Sequence, residues 1–349
     1  MSLFTQFTGS VQDLADAVVQ NPTLGDYAVK RYDFFSSTDF TVPDSGNYLI
    51  IAIGAGGSGG ALRNAPNPIF SRATGGAAGG TCIKLVSLTA SDVYSIVIGA
   101  GGLGVSTPSV GNSGGNTTVI GTNVSLTASG GENGAVDSLA IGGTATGGDL
   151  NYSGGNGGSY TISSIARSGA TGGGAPGLNG TGGHGGDVTS STSTGTYTGG
   201  GSAFADAPDD SNVGAPGAAP NSIGLNSNGV VFFGGVAGSA IISSFLASDT
   251  VNLMNQSSMY GLKVVQPAGD GGTGSSGGGS SSDSGLPIIG SLRPVNGLVA
   301  GGSAGAGIPN PATVYGVGIG GGSGGAATPG CCPFTAKGGD GAVYFFLMG

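Results

Sequence analysis

Residues 48–60 read Tyr-Leu-Ile-Ile-Ala-Ile-Gly-Ala-Gly-Gly-Ser-Gly-Gly, an apolar run that passes directly into a glycine run. The apolar half is rich in β-branched residues, which favour β-strands. The second half has few side chains, so its backbone can approach another backbone closely. The stretch therefore predicts a buried strand that leads into a segment packed through its main chain.

Glycine dominates the whole chain, with 79 glycines in 349 residues. Ordinary usage is about 7%. Disordered segments combine low hydrophobicity with high charge. Here 38% of the residues are hydrophobic, only 8% are charged, and the mean hydropathy is +0.21. The composition therefore predicts an ordered chain.

Several other apolar stretches predict strands. We expect residues 81–88 and 93–98 to form a hairpin around Thr89–Asp92. The apolar stretch at 341–348 is expected to pair with an early strand such as Tyr48–Ile53, which would bring the two ends of the glycine-rich region together. The remaining strand candidates are short: residues 40–43, 117–120 and 124–126.

The glycine runs repeat every third residue. Gly54, Gly57 and Gly60 are in register, and the same spacing recurs at Gly174, Gly177, Gly180, Gly183 and Gly186, at Gly271, Gly274 and Gly277, and at Gly318, Gly321 and Gly324. A period of three belongs to the polyproline-II type of helix, which makes no internal hydrogen bonds. Its backbone groups need partners elsewhere. Collagen is unfavoured because the register breaks repeatedly, so we expect such helices to pack side by side within one chain.

The chain divides into two predicted parts, residues 1–33 and 34–349. Residues 10–20 predict one short helix, with Ser10 as the N-cap and Val11, Leu14 and Val18 on one face. A helix this short is unstable alone, so its apolar face must dock on this chain or on a partner. The fold class expected is all-β or irregular: a strand framework, closed by N- and C-terminal strands, around packed polyglycine-II helices.

Charge and motif content exclude several kinds of function. The net charge is −9 and the nine cations are scattered, which is unlike a nucleic-acid-binding surface. No apolar run is long enough for a membrane span, and the N-terminus lacks the pattern of a signal peptide. We therefore expect synthesis in a cytoplasm and no membrane insertion.

The sequence also predicts no enzyme, cofactor or metal site. Two G-x-G-x-x-G matches, at 54–59 and 99–104, follow strands, but the sequence after each does not predict the helix that a dinucleotide site needs. The chain has three cysteines, Cys82, Cys331 and Cys332, and this odd number disfavours a disulfide framework. A zinc site needs four ligands, and the chain has a single histidine, His184, which disfavours such a site. The acidic pair Asp209-Asp210 lies in a polar stretch typical of a solvated surface.

The segments between the glycine runs carry most of the aromatic residues and cations that are expected to be exposed. Variable loops on a rigid scaffold are suited to recognition. Four apolar residues of these segments are exceptions, because we expect them to fill small cores: Phe232, Phe233, Phe245 and Leu246. The receptor-binding candidates are Arg63, Phe70, Arg72, Phe204, Tyr260, Arg293 and Tyr315.

The order of these parts resembles a known family. The first part is Phe40-Thr-Val-Pro, a turn and the 48–60 stretch. The second part consists of Gly-Gly-Thr-Cys-Ile-Lys-Leu and Val-Tyr-Ser-Ile-Val-Ile-Gly-Ala-Gly-Gly. The last part, near the end of the chain, is Gly-Gly-Asp-Gly-Ala-Val-Tyr-Phe. Over residues 34–349 this is similar to the glycine-rich domain of bacteriophage tail fibres and to the distal adhesins of T-even-like phages. Residues 1–33 do not match that pattern.

The resemblance implies a polyglycine-II sandwich and a non-enzymatic virion protein that binds a bacterial outer-membrane protein or surface glycan through loops between its glycine motifs. It also implies fibre or tail proteins as partners and either a homotrimer or a monomer that caps a trimeric fibre. The short apolar face of Val11, Leu14 and Val18 separately predicts that residues 1–33 dock on a fibre or tail protein of the virion, or assemble a homotrimer. The alternative from the sequence is a non-viral structural protein of a cell surface or matrix.

Overall fold

Two five-stranded antiparallel sheets are the largest elements of the part of the chain that the structure describes. The computed structural model describes residues 28–62, 71–105, 109–135, 138–159, 167–169, 172–173, 181–185, 187, 223–225, 231–233, 320–322, 326–327, 335 and 337–348. These residues are all-β or extended, with no helix among them. The predicted helix at 10–20 lies outside the described residues.

The described part of the chain contains sixteen strands. In chain order they are β1 Ala28–Phe34, β2 Thr38–Thr41, β3 Gly46–Ile53, β4 Ala61–Leu62, β5 Ser71–Ala73, β6 Thr81–Leu88, β7 Val93–Val97, β8 Thr117–Gly121, β9 Val124–Ala128, β10 Ala145–Thr146, β11 Leu150–Tyr152, β12 Arg167–Gly169, β13 Ile223–Leu225, β14 Val231–Phe233, β15 Ala326–Ala327 and β16 Ala342–Met348.

The strands form two large sheets and three two-stranded pairs. The first sheet has the order β1-β16-β3-β6-β11, and the second has the order β10-β9-β8-β7-β2. The closing strand β16 pairs antiparallel with β3, so that Ala342 lies opposite Ile53 and Leu347 opposite Tyr48. The predicted pairing of the last strand with Tyr48–Ile53 is confirmed.

The two sheets pack face to face around one apolar core. Strands β3, β6 and β16 supply Tyr48, Ile50, Ala52, Cys82, Val343 and Phe345, and the second sheet and its flanks supply Phe40, Val42, Tyr94, Ile96, Val119, Val124, Leu126 and Ala128. Residues of one face alternate along each strand of the second sheet, as expected for a sheet with one buried face.

The central strands of the first sheet are buried on both faces. Tyr48 and Ile50 face the core, and Leu49 and Ile51, whose side chains point to the opposite face, are only 2% exposed. In β16, Tyr344 and Phe346 are equally buried. Burial on both faces explains why the sequence of these strands is a continuous apolar run without alternation.

The hairpin predicted around Thr89–Asp92 is wrong. Strand β6 pairs with β3 and β11 in the first sheet, whereas β7 pairs with β2 and β8 in the second. The short connection between them therefore crosses from one sheet to the other. Its backbone is held to Val42, which follows β2, by bonds from Ser91 N to Val42 O (2.8 Å) and from Val42 N to Asp92 O (2.9 Å). Leu88 and Tyr94 both point into the shared core, so burial favours the crossing.

Strand β1 is absent from the strands that the sequence predicts. It forms the edge of the first sheet and pairs antiparallel with β16. Its sequence contains the charged residues Lys30, Arg31 and Asp33, so it does not have the apolar pattern of a buried strand. Two aromatic residues of the strand, Tyr32 and Phe34, nevertheless pack on the core. The strand also spans the predicted boundary between residues 33 and 34.

Burial makes the Cys82 thiol a weak acid. Cys82 lies in the core with no exposed surface, and burial raises its pKa to about 12 from an ordinary 9.0. Burial likewise raises the pKa of Tyr48 to about 12. The folded protein therefore holds both protons to higher pH than the unfolded chain does. The stability that this difference provides is complete below about pH 9 and is lost as the pH rises toward about 12.

We expect the free energy of unfolding to fall between about pH 9 and 12, with each buried group contributing up to about 1.4 kcal/mol per pH unit. A Cys82→Ala variant should show a shallower fall, measured by denaturant titration across this range. In a Cys331→Ser/Cys332→Ser background, Cys82 should react with a thiol reagent only after unfolding, because the thiolate is the reactive form. Rapid labelling of the folded protein at about pH 8 would contradict this expectation.

Candidate functional site

Glycine-rich segments continue the strands and extend away from the sheets. Residues 54–60 follow β3, residues 74–80 lead into β6, and residues 337–341 lead into β16. The segments after β7, β9 and β11 extend away from the sheets, and those before β8 and β10 return to them. The chain thus passes back and forth along one bundle of extended segments.

Two segments lie inside this bundle, and we call them hub 1 (residues 54–60) and hub 2 (residues 74–80). Every residue of both hubs is buried. Successive amides of hub 1 bond to three different neighbours: Gly54 N to Gly80 O (2.8 Å), Ala55 N to Gly115 O (3.2 Å) and Gly56 N to Gly339 O (2.8 Å). The cycle then begins again, with Gly57 N bonded to Ala77 O and Ser58 N to Asn112 O, both at 2.8 Å.

Hub 1 is enclosed by six segments. It donates hydrogen bonds to hub 2, 111–116 and 337–341, it accepts them from 99–105 and 129–135, and it approaches 320–322 closely at Gly56. Neighbouring members of this ring also bond to one another: Gly80 N to Ser129 O, Gly114 N to Gly131 O, Gly115 N to Ala100 O, Gly338 N to Gly102 O, Gly339 N to Gly321 O and Gly79 N to Gly320 O. The ring around hub 1 is therefore closed.

Hub 2 is surrounded in the same way. Besides hub 1, it bonds to 129–135, 140–144, 153–159, 172–173 and 320–322. The two rings place the segments in three layers. The middle layer has the order 99–105, hub 1, hub 2, 153–159 and 181–185. The layer above it contains residues 111–116, 129–135 and 140–144. The layer below it contains residues 337–341, 320–322 and 172–173.

Glycine is required where two segments meet. A Cβ atom on Gly56 would overlap the carbonyl oxygen of Gly321, and a Cβ on Gly131 would overlap that of Ala77. The obstructing atoms belong to the backbone, so a side-chain rotation cannot relieve the overlap. Glycine here serves close approach, with no positive φ at either position.

The outer segments carry side chains at every third position. In 99–105, Ala100 and Leu103 are exposed, whereas Gly99, Gly101 and Gly102 are buried. The same three-residue spacing of exposed or partly exposed residues recurs at Ser138, Ile141 and Thr144, at Ser153, Asn156 and Ser159, at Thr181 and His184, and at Lys337 and Asp340. In each of these segments, every third residue therefore lies on the side that faces solvent.

Polar side chains replace missing backbone partners at the rim of the bundle. Gly101 N donates to Asp340 Oδ1 (2.7 Å), Ile141 N to Glu132 Oε2 (3.0 Å), Gly142 N to Asn156 Oδ1 (2.9 Å), Gly130 N to Asn116 Oδ1 (3.0 Å) and Val105 N to Thr335 Oγ1 (2.9 Å). Buried amides need an acceptor, and at the rim a side chain supplies it. The sequence analysis does not predict these side-chain contacts. The sequence pattern that could have indicated them is a polar residue at every third position of a glycine run.

Several of the described segments end at the same end of the bundle, away from the two large sheets. The residues there include Leu62, Ser71, Val105, Ala135 and Ser159. Bonds from Gly60 N to Thr74 O and from Thr74 N to Ala135 O bring three of these segment ends together. We call this end the distal end, and it is the candidate functional site.

Short strand pairs extend the bundle at the distal end. Strand β15 pairs parallel with β4, and β12 pairs parallel with β5. Arg72 lies in β5, where its backbone is opposite Ser168. The other receptor-binding candidates, namely Arg63, Phe70, Phe204, Tyr260, Arg293 and Tyr315, lie outside the described residues, as do Val11, Leu14 and Val18.

The expected core plugs are only partly described. Phe232 and Phe233 belong to β14, which pairs with β13, and Phe245 and Leu246 lie outside the described part of the chain.

The described residues offer few charged clusters. Lys337 and Asp340 form an ion pair on the rim, Lys84 contacts Asp149 at 3.4 Å, and Lys30 contacts Asp44 at 2.6 Å. The hydrogen bond to Asp44 raises the pKa of Lys30. Within the described ranges, no three metal-ligating side chains converge, and no helix is long and apolar enough to cross a bilayer.

The chain matches no protein-family model, and no curated protein sequence matches it.

Proposed function

We propose that the glycine segments are polyglycine-II helices packed into one bundle. Three observations support this proposal: amides that bond to three neighbours in turn, side chains exposed at every third residue, and glycine where backbones meet. A helix with three residues per turn and no internal hydrogen bonds has these properties. Each helix can then bond to neighbours on all sides, as the hubs do.

We further propose that the protein is the receptor-binding tip of a bacteriophage tail fibre. The observation that carries this proposal is that the ends of several described glycine segments lie together at the distal end, held by the bonds of Gly60, Thr74 and Gly75. A bundle bonded through its backbone is a rigid support, and residues attached at its end could be varied without disturbing the bundle. The resemblance of residues 34–349 to tail-fibre adhesins favours the same function.

Recognition would be non-enzymatic and would use residues between hub 1 and hub 2 in the sequence. Arg63, Phe70 and Arg72 fall between Leu62 and Ala73, at the outer ends of hub 1 and hub 2. Aromatic residues and arginine are enriched among the residues that dominate binding energy. The partner on the host would be an outer-membrane protein or a surface glycan.

Attachment to the virion would use the opposite end. Ala28, the first described residue, lies opposite Met348, at the end of β16 that points away from the bundle. The residues that precede Ala28, including Val11, Leu14 and Val18, therefore enter the fold far from the distal end. We propose that they bind another fibre or tail protein, with this protein as a homotrimer or as a monomer on a trimeric fibre.

A triple substitution tests the receptor-binding role. We expect Arg63→Ala/Phe70→Ala/Arg72→Ala to reduce adsorption of virions to host cells by roughly tenfold or more, because loss of a single binding hot spot costs at least about 2 kcal/mol. The measurement is the adsorption rate of virions that carry the variant.

The matched control substitutes exposed apolar residues on the side of the bundle. Leu103 is 67% exposed and Ile141 is 54% exposed, so Leu103→Ala/Ile141→Ala should change adsorption little. Both variants should retain the melting temperature of the unchanged protein. Normal adsorption by the triple variant would show that these three residues do not form the receptor site.

A further inference from the structure

Asparagine is followed by glycine at two places among the described residues, Asn133-Gly134 and Asn156-Gly157. Asparagine is one of the thermolabile residues of proteins. Its side-chain Cγ can be attacked by the peptide nitrogen of the next residue, and a glycine there has no side chain to hinder the attack. These two pairs are therefore the chemically susceptible positions of the described bundle.

The reaction is deamidation, and its only co-reactant is water. A bond forms between the peptide nitrogen of the glycine and Cγ of the asparagine. The bond from Cγ to Nδ2 breaks, and ammonia leaves with the proton of the peptide nitrogen. Water then opens the cyclic imide at one of its carbonyl carbons. The products are aspartate, with an ordinary backbone, and isoaspartate, whose main chain is longer by a methylene group.

The packing of the bundle requires glycine after each asparagine. A Cβ atom on Gly134 would overlap the carbonyl oxygen of Thr74, and a Cβ on Gly157 would overlap that of Gly75. Both obstructing atoms belong to the backbone of hub 2. A bulkier residue that would slow the attack therefore does not fit at either position.

In the folded protein the attacking nitrogen of each pair is buried and bonded. Gly134 N donates to Ser58 O (2.8 Å), and Gly157 N donates to Ala140 O (3.0 Å). Both glycines are buried. The nitrogen must lose its proton to react, and here a carbonyl oxygen holds that proton away from bases in the solvent.

The side chain under attack is held as well. Asn133 Oδ1 accepts a bond from Ser113 Oγ (2.9 Å). Asn156 Oδ1 accepts one from Gly142 N (2.9 Å), and its own amide donates to His184 Nδ1 (2.9 Å). Ring closure requires Cγ to turn toward the following nitrogen, so the bonds to Oδ1 must break first.

We propose that Asn133 and Asn156 are latent deamidation sites whose reaction is controlled by opening of the bundle. Proteins open locally as well as globally, and an opening that frees both groups of a pair makes the reaction possible. Isoaspartate would lengthen a main chain whose bonds repeat every third residue, so the segment could not close with the same partners. This proposal does not depend on the adhesin function.

Peptide mapping by mass spectrometry of the full-length protein, incubated at mildly alkaline pH, tests the proposal. The references are synthetic peptides of residues 130–135 and 153–158. We expect each asparagine of the native protein to react at least about a hundredfold more slowly than in its peptide, which corresponds to an opening free energy of about 2.8 kcal/mol or more. In concentrated urea both should react as fast as the peptides.

Two variants make the test specific. Asn133→Gln keeps an amide oxygen on a longer side chain that forms an imide far more slowly, so in urea it should remove the reaction at position 133 and leave that of Asn156 unchanged. Gly131→Ala, whose Cβ would overlap Ala77 O, should loosen residues 129–135 and accelerate Asn133 more than Asn156. Should this variant unfold, urea below the unfolding midpoint of the unchanged protein supplies graded opening, and both rates should rise with it.

A retardation of less than about a hundredfold at either asparagine would overturn the proposal for that residue. A native rate that did not rise as urea opens the protein would overturn control by opening. Lack of reaction in concentrated urea would show that the pairs are not labile in this chain, and would overturn the proposal for both.

Discussion

A Gly56→Ala substitution is expected to destabilise the protein severely. Gly56 lies in hub 1, and its added Cβ would overlap the carbonyl oxygen of Gly321. Relief requires the two segments to separate. That separation would stretch the bonds from Gly56 N to Gly339 O (2.8 Å) and from Gly339 N to Gly321 O (2.9 Å). Overpacking alone costs on the order of 1–3 kcal/mol, and the strained backbone bonds add to it.

The measurement is the melting temperature, which should fall by roughly 5 °C or more. Gly56→Val should be worse, because its larger side chain requires a wider separation. The matched control is Gly104→Ala, at an exposed glycine near the end of a neighbouring segment. That change should be neutral or slightly stabilising, since it restricts the unfolded chain.

Two results would count against the close packing of hub 1. An unchanged melting temperature for Gly56→Ala would mean that the segments tolerate a side chain at their point of closest approach. An equal loss in Gly104→Ala would mean that the chain is sensitive to any change of glycine, whatever its surroundings.

The sequence predicts the strands better than it predicts their pairing. Residues 48–53 and 341–348 are apolar and β-branched or aromatic, and they form the paired strands β3 and β16. Strands β6 and β7 are also found, but the expected hairpin between them is not formed. A four-residue connection can join two strands of one sheet or cross between two sheets, and only burial of both strands against a common core decides between them.

The sequence does not predict which glycine segments lie next to one another in the bundle. The three-residue period is the same in every glycine run, so it carries no information about which run bonds to which. Side-chain size does carry information about position. The two hubs contain only small residues besides glycine, such as Ala55, Ser58 and Ala77, whereas outer segments contain Leu103 and Ile141. A larger residue at a third position thus marks a segment that faces solvent.

The candidate site is predicted only in outline. Loops between glycine runs are visible in the sequence as segments with proline, aromatic and charged residues. That the described ends of several glycine segments lie together depends on the direction in which each segment runs, which follows from pairing. The rim contacts of Asn156 and His184 likewise depend on two segments that are adjacent in space and 28 residues apart in the chain.

A Phe345→Ala substitution is the second change expected to have a large effect. Phe345 has no exposed surface and lies at the centre of the core between the two sheets. Its ring is close to four others, with centroid distances of 4.8 Å to Phe40, 5.8 Å to Phe34, 6.3 Å to Tyr94 and 6.4 Å to Tyr48. These rings come from β1, β2, β3 and β7, so one side chain joins both sheets.

Truncation of this ring should cost about 3–5 kcal/mol, the usual range for a buried phenylalanine. The cavity would be bordered by rings held on four strands, which limits its collapse. The matched control is Phe35→Ala: Phe35 also contacts an aromatic ring, that of Tyr344 at 5.9 Å, but is 57% exposed. Its loss should cost less than about 1.5 kcal/mol, within the range of an aromatic pair.

Because β16 extends directly from the bundle segment 337–341, loosening it should also disturb the bundle. The bonds from Gly338 N to Gly102 O and from Gly341 N to Gly99 O, both 2.9 Å, connect that segment to residues 99–105. Hydrogen exchange in Phe345→Ala should therefore accelerate at Gly338 and Gly341 as well as in the sheets. If exchange increased in the sheets alone, the two sheets and the bundle would unfold independently, and the glycine bundle would be stable without the core between the sheets.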